Sequence, residues 1–200
     1  MFQQEIDREN GYRPGVGIIL MHDGNALLCH RESWISAMRY SDEQGFYLDT
    51  TPKAGWTYGW DIPQGGIESG ETFSQAIHRE VSEELGKDWA DALDQPRMLR
   101  RECLDFPVYK DGRQWRGKTY YYHTVEVSLS ESYFDWVWGP NWDEIIPTPY
   151  PTGQFPGGVL FMNHREARER VMRTQPGRKG QLVLSVLDEL RQQRMIRSGN

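Results

Sequence analysis

Trp60–Lys87 reads WDIPQGGIESGETFSQAIHREVSEELGK, a glycine-rich turn feeding a segment that ends in a cluster of glutamates. Inside it, Gly65, Glu71, Arg79, Glu80, Glu83, Glu84 and Gly86 follow the spacing G-x5-E-x7-R-E-U-x-E-E-x-G, with Val81 as the apolar residue U. With each of these fixed residues at about 6% usage, a chance match at a given start has odds of roughly one in 10^8. Thr72 followed three residues later by Gln75 is a capping-box spacing, and Gly86 stands where a helix takes a left-handed C-terminal residue. A helix of about 13 residues is expected between them. At 100° per residue, Phe73, Ile77, Val81 and Leu85 share one arc, and Glu84 falls within it; Glu80 lies at its edge and Glu83 on the flank.

That placement has a cost. Like charges three or four apart on a helix repel by about 0.2–0.5 kcal/mol per pair, and a carboxylate within an apolar stripe costs more unless it is paired. A bound cation removes both penalties, and oxygen-only ligands suit Mg²⁺ or Mn²⁺ rather than zinc. The plainer alternative is a solvated acidic face on a surface helix. The stripe position of Glu84, the preceding glycine turn and the spacing to Arg79 argue against it.

Length and composition narrow the rest. Two hundred residues, 38% apolar and 26% charged, describe a globular chain with a sizeable core and no run of apolar residues long enough for a membrane span. The start, MFQQEIDREN, is too polar for a secretory signal, and Cys29 and Cys103 form neither a CxxC pair nor a disulfide framework. A cytoplasmic location is the expectation. A net charge of −6 argues against passive coating of nucleic acid, although not against an enzyme that grips one RNA terminus. Eight tryptophans and ten tyrosines give rings for the core and for stacking on bases.

In chain order, the residues before Gly11 read as a short arm. Val16 to Met21 and Ala26 to Cys29 flank a His-Asp-Gly-Asn turn and predict a hairpin. Asp88 to Gln95 reads as a loop or short helical end. Met98 to Tyr109 and Lys118 to Leu129 predict two strands joined by KDGRQWRG, whose Arg113, Arg116 and Lys118 read as a solvated basic hairpin tip. After a Pro/Gly-rich loop comes VLFMNHREARERVM, which the family resemblance given below implies to be the closing helix. Beyond a GRKG break, Leu182, Val183, Val186, Leu187 and Leu190 stand at helical spacing in a segment suited to docking or self-association.

The Trp60–Lys87 pattern resembles the Nudix box, the signature of hydrolases that split a nucleoside diphosphate linked to another group. Lys87 departs from it, because an apolar residue usually follows the last glycine. GYRP with a V-G-I strand, and PQGGI-x-x-GE, resemble the branch of bacterial RNA pyrophosphohydrolases and dinucleoside polyphosphate hydrolases. The resemblance implies an α+β fold, an α/β/α sandwich around a mixed sheet. It implies that Glu80, Glu83 and Glu84 ligate Mg²⁺ (or Mn²⁺) with a backbone carbonyl near Gly65, while Glu71, Arg79 and Gly86 are structural within the motif. Arg13 and Arg31 correspond to the branch's phosphate-binding arginines, whose planar forks match phosphate oxygens. Phe161 matches a phenylalanine near the base, with packing at a helix start as the alternative. Tyr133 occupies the place of a glutamate that binds metal or acts as base, leaving Glu131 and Asp135 as the nearest acidic groups.

Residues 32–59 are an aromatic-rich insertion where the branch has under about ten residues; they read as a lid or extra hairpin by the site, or as an extension packed on the sheet edge. The domain organisation expected is a Nudix hydrolase domain over 1–173 and a C-terminal helical extension over 174–200. The reaction implied is Mg²⁺-dependent hydrolysis of a phosphoanhydride in a nucleoside 5′-polyphosphate, either at RNA 5′-triphosphate ends or in dinucleoside polyphosphates. The alternative is a Nudix fold that only binds or senses a nucleotide. A nucleotide or 5′-phosphorylated RNA end is the partner expected, with no membrane association and no oligomeric state specified.

Overall fold

The computed structural model describes residues 3–30, 38–41, 45–48, 60–110, 112–128, 159–174, 178–196 and 198. Arg31, Glu131, Tyr133, Asp135, the Pro/Gly-rich loop and most of the 32–59 insertion lie outside them. The chain divides into two compact units, Met1–Met21 with Pro63–Ser128, and His22–Ile62 with Leu129–Asn200.

The first unit is built around β1 (Tyr12–His22), in which every residue from Pro14 to Met21 is buried. Such a continuous apolar run belongs to a strand covered on both faces, and β1 accordingly runs parallel to a neighbour. That neighbour is β8 (Arg113–Glu126), with Tyr12–Met21 opposite Gly117–Glu126. β8 pairs antiparallel with β7 (Arg97–Lys110), and the short β6 (Gln64–Gly66) pairs antiparallel with β1 at Gly15–Gly17. The sheet is therefore mixed, and with its helices the fold is α+β, as expected. β7 shifts register between Asp105 and Val108, around Pro107, which has no N–H to give to a ladder.

Among the described residues, three helices belong to this unit. The short arm expected before Gly11 is a helix, α1 (Gln3–Glu9). Its buried side chains are polar: Asp7 accepts from Arg101 on β7 and from the Tyr121 hydroxyl on β8, and Gln4 Nε2 donates to the Glu71 carbonyl at 3.1 Å. α2 (Phe73–Glu84) lays Ala76, Ile77 and Val81 into the core, with the Phe73 ring 4.7 Å from Tyr121 and 5.0 Å from His123. Burial of each large aliphatic side chain of this kind contributes about 1.5–3 kcal/mol. α3 (Lys87–Asp91) is the short helical end foreseen after the box.

The second hairpin corrects the sequence reading. The turn is at Gly112, φ 71°, and the segment from Arg113 onward is already strand, so Arg113 and Arg116 do not form a loop tip. Arg113 stacks on Trp115 at 4.0 Å, and Arg116 Nε donates to Asp105 Oδ1 at 3.1 Å. Gly117 belongs in β8 because a Cβ there would overlap the Leu104 carbonyl.

In the second unit, β2 (Asn25–His30) pairs antiparallel with both β5 (Trp60–Asp61) and β9 (Val159–Met162). Asp23 (φ 48°) and Gly24 (φ 68°) make the turn that precedes β2, two successive left-handed residues of the kind that tight strand connections use. Within the insertion, β3 (Met38–Ser41) and β4 (Gly45–Leu48) form a separate two-stranded antiparallel ribbon. VLFM is strand rather than helix; α4 (His164–Thr174) begins after it. α5 (Arg178–Gln192) docks on α4: the Asp188 carboxylate meets His164 Nε2 at 2.8 Å and Arg168 Nη1 at 2.8 Å, and Val183, Val186, Leu187 and Leu190 are buried. Among the described residues, no helix is long and apolar enough to cross a membrane.

Candidate active site

The site grows from the start of α2. Thr72 Oγ1 accepts from the Gln75 N–H at 3.3 Å while Gln75 Oε1 accepts from the Thr72 N–H at 2.9 Å, so both arms of the capping box form. At the other end Leu85 is the cap, and Gly86 sits at φ 111°, ψ 162°. That is a glycine conformation, though the extended one rather than the left-handed helical cap expected. Lys87, at the position where the box pattern has an apolar residue, is exposed and pairs with Asp91 one turn on.

The loop before α2 is held by Arg79. Its Nε and Nη2 grip Glu71 at 2.9 and 3.0 Å, and Nη2 also donates to the Gly66 carbonyl at 2.7 Å. Glu71 Oε2 accepts from the Glu68 N–H at 2.8 Å, which closes the Glu68–Glu71 turn. Burial pushes the Glu71 carboxyl up, but the Arg79 bonds and charge and the Glu68 amide outweigh it and hold it below the usual carboxylate range. Arg79 is held well above its ordinary value, first by its hydrogen bond to Glu71.

Glu80 is buried, and a Cβ added at Gly65 would fall on its carboxylate, so the glycine makes the space the carboxylate fills. Burial raises the Glu80 pKa even though Arg79 Nη1, 2.7 Å away, opposes it. Glu84 is 3% exposed, and its Oε2 accepts from the Gln64 N–H at 3.2 Å. Glu83 is exposed on the flank, 3.6 Å from Arg79 Nη1. Next door, a Cβ at Gly66 would stand 2.6 Å from Arg13 Nη2, which places that guanidinium directly over the turn.

Around these groups lies a cleft of about 370 Å³, lined by Arg8, Arg13, Arg79, Lys110 and Trp115 above Gly66–Ser69, with Glu80 at its wall. The donor set fits a hard divalent cation. Glu80 is a carboxylate that burial penalises as an anion, Glu84 is a second buried one, and Glu83 is a third on the same helix, an all-oxygen set of the kind such ions take. Among the described residues, no three acidic, histidine or cysteine side chains already converge on one point, because Glu80 is turned to Arg79 and Glu84 to the Gln64 amide.

Of the residues singled out from sequence, Arg13, Gly65, Glu71, Arg79 and Glu80 are brought together at this turn, and Glu83 and Glu84 extend the row along α2. Arg31 is outside the described residues. Phe161 is in β9, 1% exposed and opposite Leu27, with its ring 5.7 Å from His22, a packed position of the second unit. Arg8, Lys110 and Trp115 were missed. Arg8 donates to the Ile67 carbonyl and lies on a helix with no apolar stripe, so periodicity gives no sign of it. The Trp-Arg-Gly run looked like a turn, and only strand pairing puts Trp115 opposite Val108.

Three comparisons bear on this geometry. The sequence model of the NUDIX domain matches residues 11–145. A protein from Marinomonas sp. (strain MWYL1) described as an RNA pyrophosphohydrolase is 38% identical over 154 residues, which cover 59% of this chain and 82% of that one. A solved structure, a NUDIX hydrolase from Nitrosomonas europaea, aligns with a TM-score of 0.50 and 15% identity over 93% of both chains, a likeness of fold.

Proposed function

We propose, on the premise that this chain belongs to the NUDIX family, that the α2 carboxylates hold a divalent cation beside a nucleoside 5′-polyphosphate whose phosphoanhydride is hydrolysed. The chain is an enzyme of that family, a pyrophosphohydrolase. What carries the reading is one turn: the Glu80 carboxylate seated against Gly65 and the Arg13 guanidinium over Gly66, so that a cation ligand and a phosphate clamp occupy adjacent residues.

Glu80, Glu83 and Glu84, with the Gly65 carbonyl, would hold Mg²⁺ or Mn²⁺. When bound, such an ion lowers the pKa of water and neutralises phosphate oxygens. The chain's own groups do the positioning. Glu71 and Arg79 fix the loop against the helix, and Arg13, whose guanidinium has no hydrogen-bond or ion-pair partner among the described residues, presents its donor fork to the phosphates. Arg31 is proposed as the second phosphate-binding arginine. In-line attack of water forms a P–O bond to phosphorus and breaks the one to the leaving phosphate, which departs as the anion while the water's proton passes to solvent, and holding the chain in line supplies much of the rate.

For substrate we place RNA 5′-triphosphate ends and dinucleoside polyphosphates first, a reading supported by the name of the Marinomonas relative. The setting proposed is the cytoplasm, consistent with two free cysteines. The test is a side-by-side assay on triphosphorylated RNA, diadenosine polyphosphates, ADP-ribose and deoxynucleoside triphosphates with Mg²⁺, following which phosphorus acquires solvent oxygen. Glu83→Gln and Glu84→Gln are each expected to abolish turnover with the melting temperature retained. Full activity in both refutes the assignment, and binding of nucleotide without any hydrolysis would make the protein a sensor.

A further inference from the structure

Nothing apolar among the buried side chains of α1 accounts for its docking. Its seven residues, QQEIDRE, are too few to stay helical in water by themselves, so tertiary contacts must hold them. Those contacts are polar: Gln4 and Asp7 are 2% and 1% exposed, and burying such groups is costly unless each is hydrogen-bonded. Asp7 accepts from Arg101 and Tyr121 of the sheet. Gln4 Nε2 donates to the Glu71 carbonyl at 3.1 Å, and Arg8 Nη2 to the Ile67 carbonyl.

The two carbonyls are the two ends of one turn, residues 67–71, with Glu68, Ser69 and Gly70 exposed at its tip and Gly70 at φ 79°. A left-handed glycine in an exposed tip leaves such a turn to be fixed from its ends. At the first end Ile67 is engaged on both sides, its N–H donating to the Pro14 carbonyl at 3.1 Å and its carbonyl accepting from Arg8. At the second end the Glu71 carboxylate accepts from Arg79 Nε and Nη2 and from the Glu68 N–H, while the Glu71 carbonyl accepts from Gln4. Arg79 also donates from Nη1 to Glu80 at 2.7 Å. One buried amide of α1 thus holds the backbone of the residue whose side chain steers Arg79, and Arg79 steers the carboxylate seated at Gly65.

We propose that Gln4 is a positioning residue of the hydrolase: by fixing the Glu71 carbonyl it keeps the Glu71 carboxylate aligned with Arg79, and thereby keeps Glu80 in its seat. The step from that seat to turnover rests on the hydrolase reading above, whereas the step from Gln4 to Arg79 stands on the hydrogen bonds alone. Gln4 is not among the residues lining the cleft, so its loss acts on the rate of the bound complex rather than on substrate binding. Losing one neutral hydrogen bond of this kind changes the population of the aligned turn by about tenfold.

The test pairs two measurements on the full chain well below its melting temperature. Without metal, NMR hydrogen exchange of the Arg79 Nε–H and the Glu68 amide, both donors to the Glu71 carboxylate, reads the clasp. With Mg²⁺, kcat and KM are measured on triphosphorylated RNA or diadenosine polyphosphates, whichever wild type hydrolyses faster. Gln4→Met, similar in size but without a donor, is expected to speed both exchanges about tenfold and to lower kcat about tenfold, with KM within about twofold. Tyr121→Phe removes one bond to Asp7 while Arg101 keeps its own, so it costs stability without reaching the turn. Its exchange rates and kcat are expected to stay within about twofold of wild type. Should Gln4→Met not fold, Gln4→Ala takes its place. Unchanged exchange or unchanged kcat in the Gln4 variant, or an equal change in Tyr121→Phe, overturns the proposal. A wild type that hydrolyses no nucleotide refutes the hydrolase reading and with it the role in turnover, while the exchange rates still show whether Gln4 holds the clasp.

Discussion

Arg79 and Glu71 form a two-pronged ion pair at 2.9 and 3.0 Å, and the same guanidinium reaches the Gly66 carbonyl at 2.7 Å, so one side chain ties α2 to the turn preceding it. Both partners are largely shielded, at 25% and 12% side-chain exposure. Removing one leaves the other charge without its partner. Arg79→Ala is expected to cost about 2–3 kcal/mol, discounted from a fully buried pair for the solvent that reaches Arg79. Urea denaturation measures it, and Arg79→Lys should recover less than half, since a lysine cannot bridge both acceptors.

Gly65→Ala separates the site from the fold. The new Cβ lands on the Glu80 carboxylate, the movable end of a side chain, so the protein should stay folded with its melting temperature little changed. The carboxylate has to leave its seat, and a displacement of that size is expected to reduce kcat on the order of a hundredfold. Activity close to wild type would show that Glu80 does not act from the position described here.

Gly117→Ala is the converse. There the Cβ meets the Leu104 backbone carbonyl across the β7–β8 ladder, and a strand cannot swing aside as a side chain can. A loss of about 2–3 kcal/mol is expected from strand distortion, read as a lower urea midpoint.

Acid sensitivity should trace to His123. It is buried at 3% exposure, and its folded pKa is depressed below 6.5 because burial disfavours the imidazolium, only partly offset by the bond between Nδ1 and the Tyr121 carbonyl. The unfolded chain therefore binds the proton first. Stability from the neutral form is fully present above about pH 6.5 and declines as pH falls from there through the folded value. Melting curves between pH 8 and pH 5 (roughly the range of histidine titration) should show that decline, and His123→Phe, which can pack beside Phe73, should flatten it.

How much of this could be read beforehand depends on how local the determinants are. α2 was legible to within a residue at each end, since its cap, apolar arc and terminal glycine all lie within the segment. β1 was legible in its apolar run. The β7–β8 connection was misplaced because KDGRQWRG contains two glycines, and only one turns the chain: Gly112 has a positive φ, whereas Gly117 is needed for close approach to Leu104. α1 escaped because nothing apolar marks it; Gln4 and Asp7 are buried by partners 67 to 114 residues away. In the site, the motif residues follow from spacing, while Arg8 and Trp115 depend on pairings between elements distant in sequence.

The fastening of α1 sets a practical boundary for anyone shortening this protein. The family match begins at Gly11, an inviting place to start a trimmed chain. Such a cut would discard Asp7, leaving the Arg101 guanidinium and Tyr121 hydroxyl without their carboxylate. It would also release the Ile67 and Glu71 carbonyls from Arg8 and Gln4, at the rim of the turn that carries the glutamates. A chain begun at Gly11 is accordingly expected to be less stable than one that keeps α1, a helix that belongs to the fold although it precedes the recognisable signature.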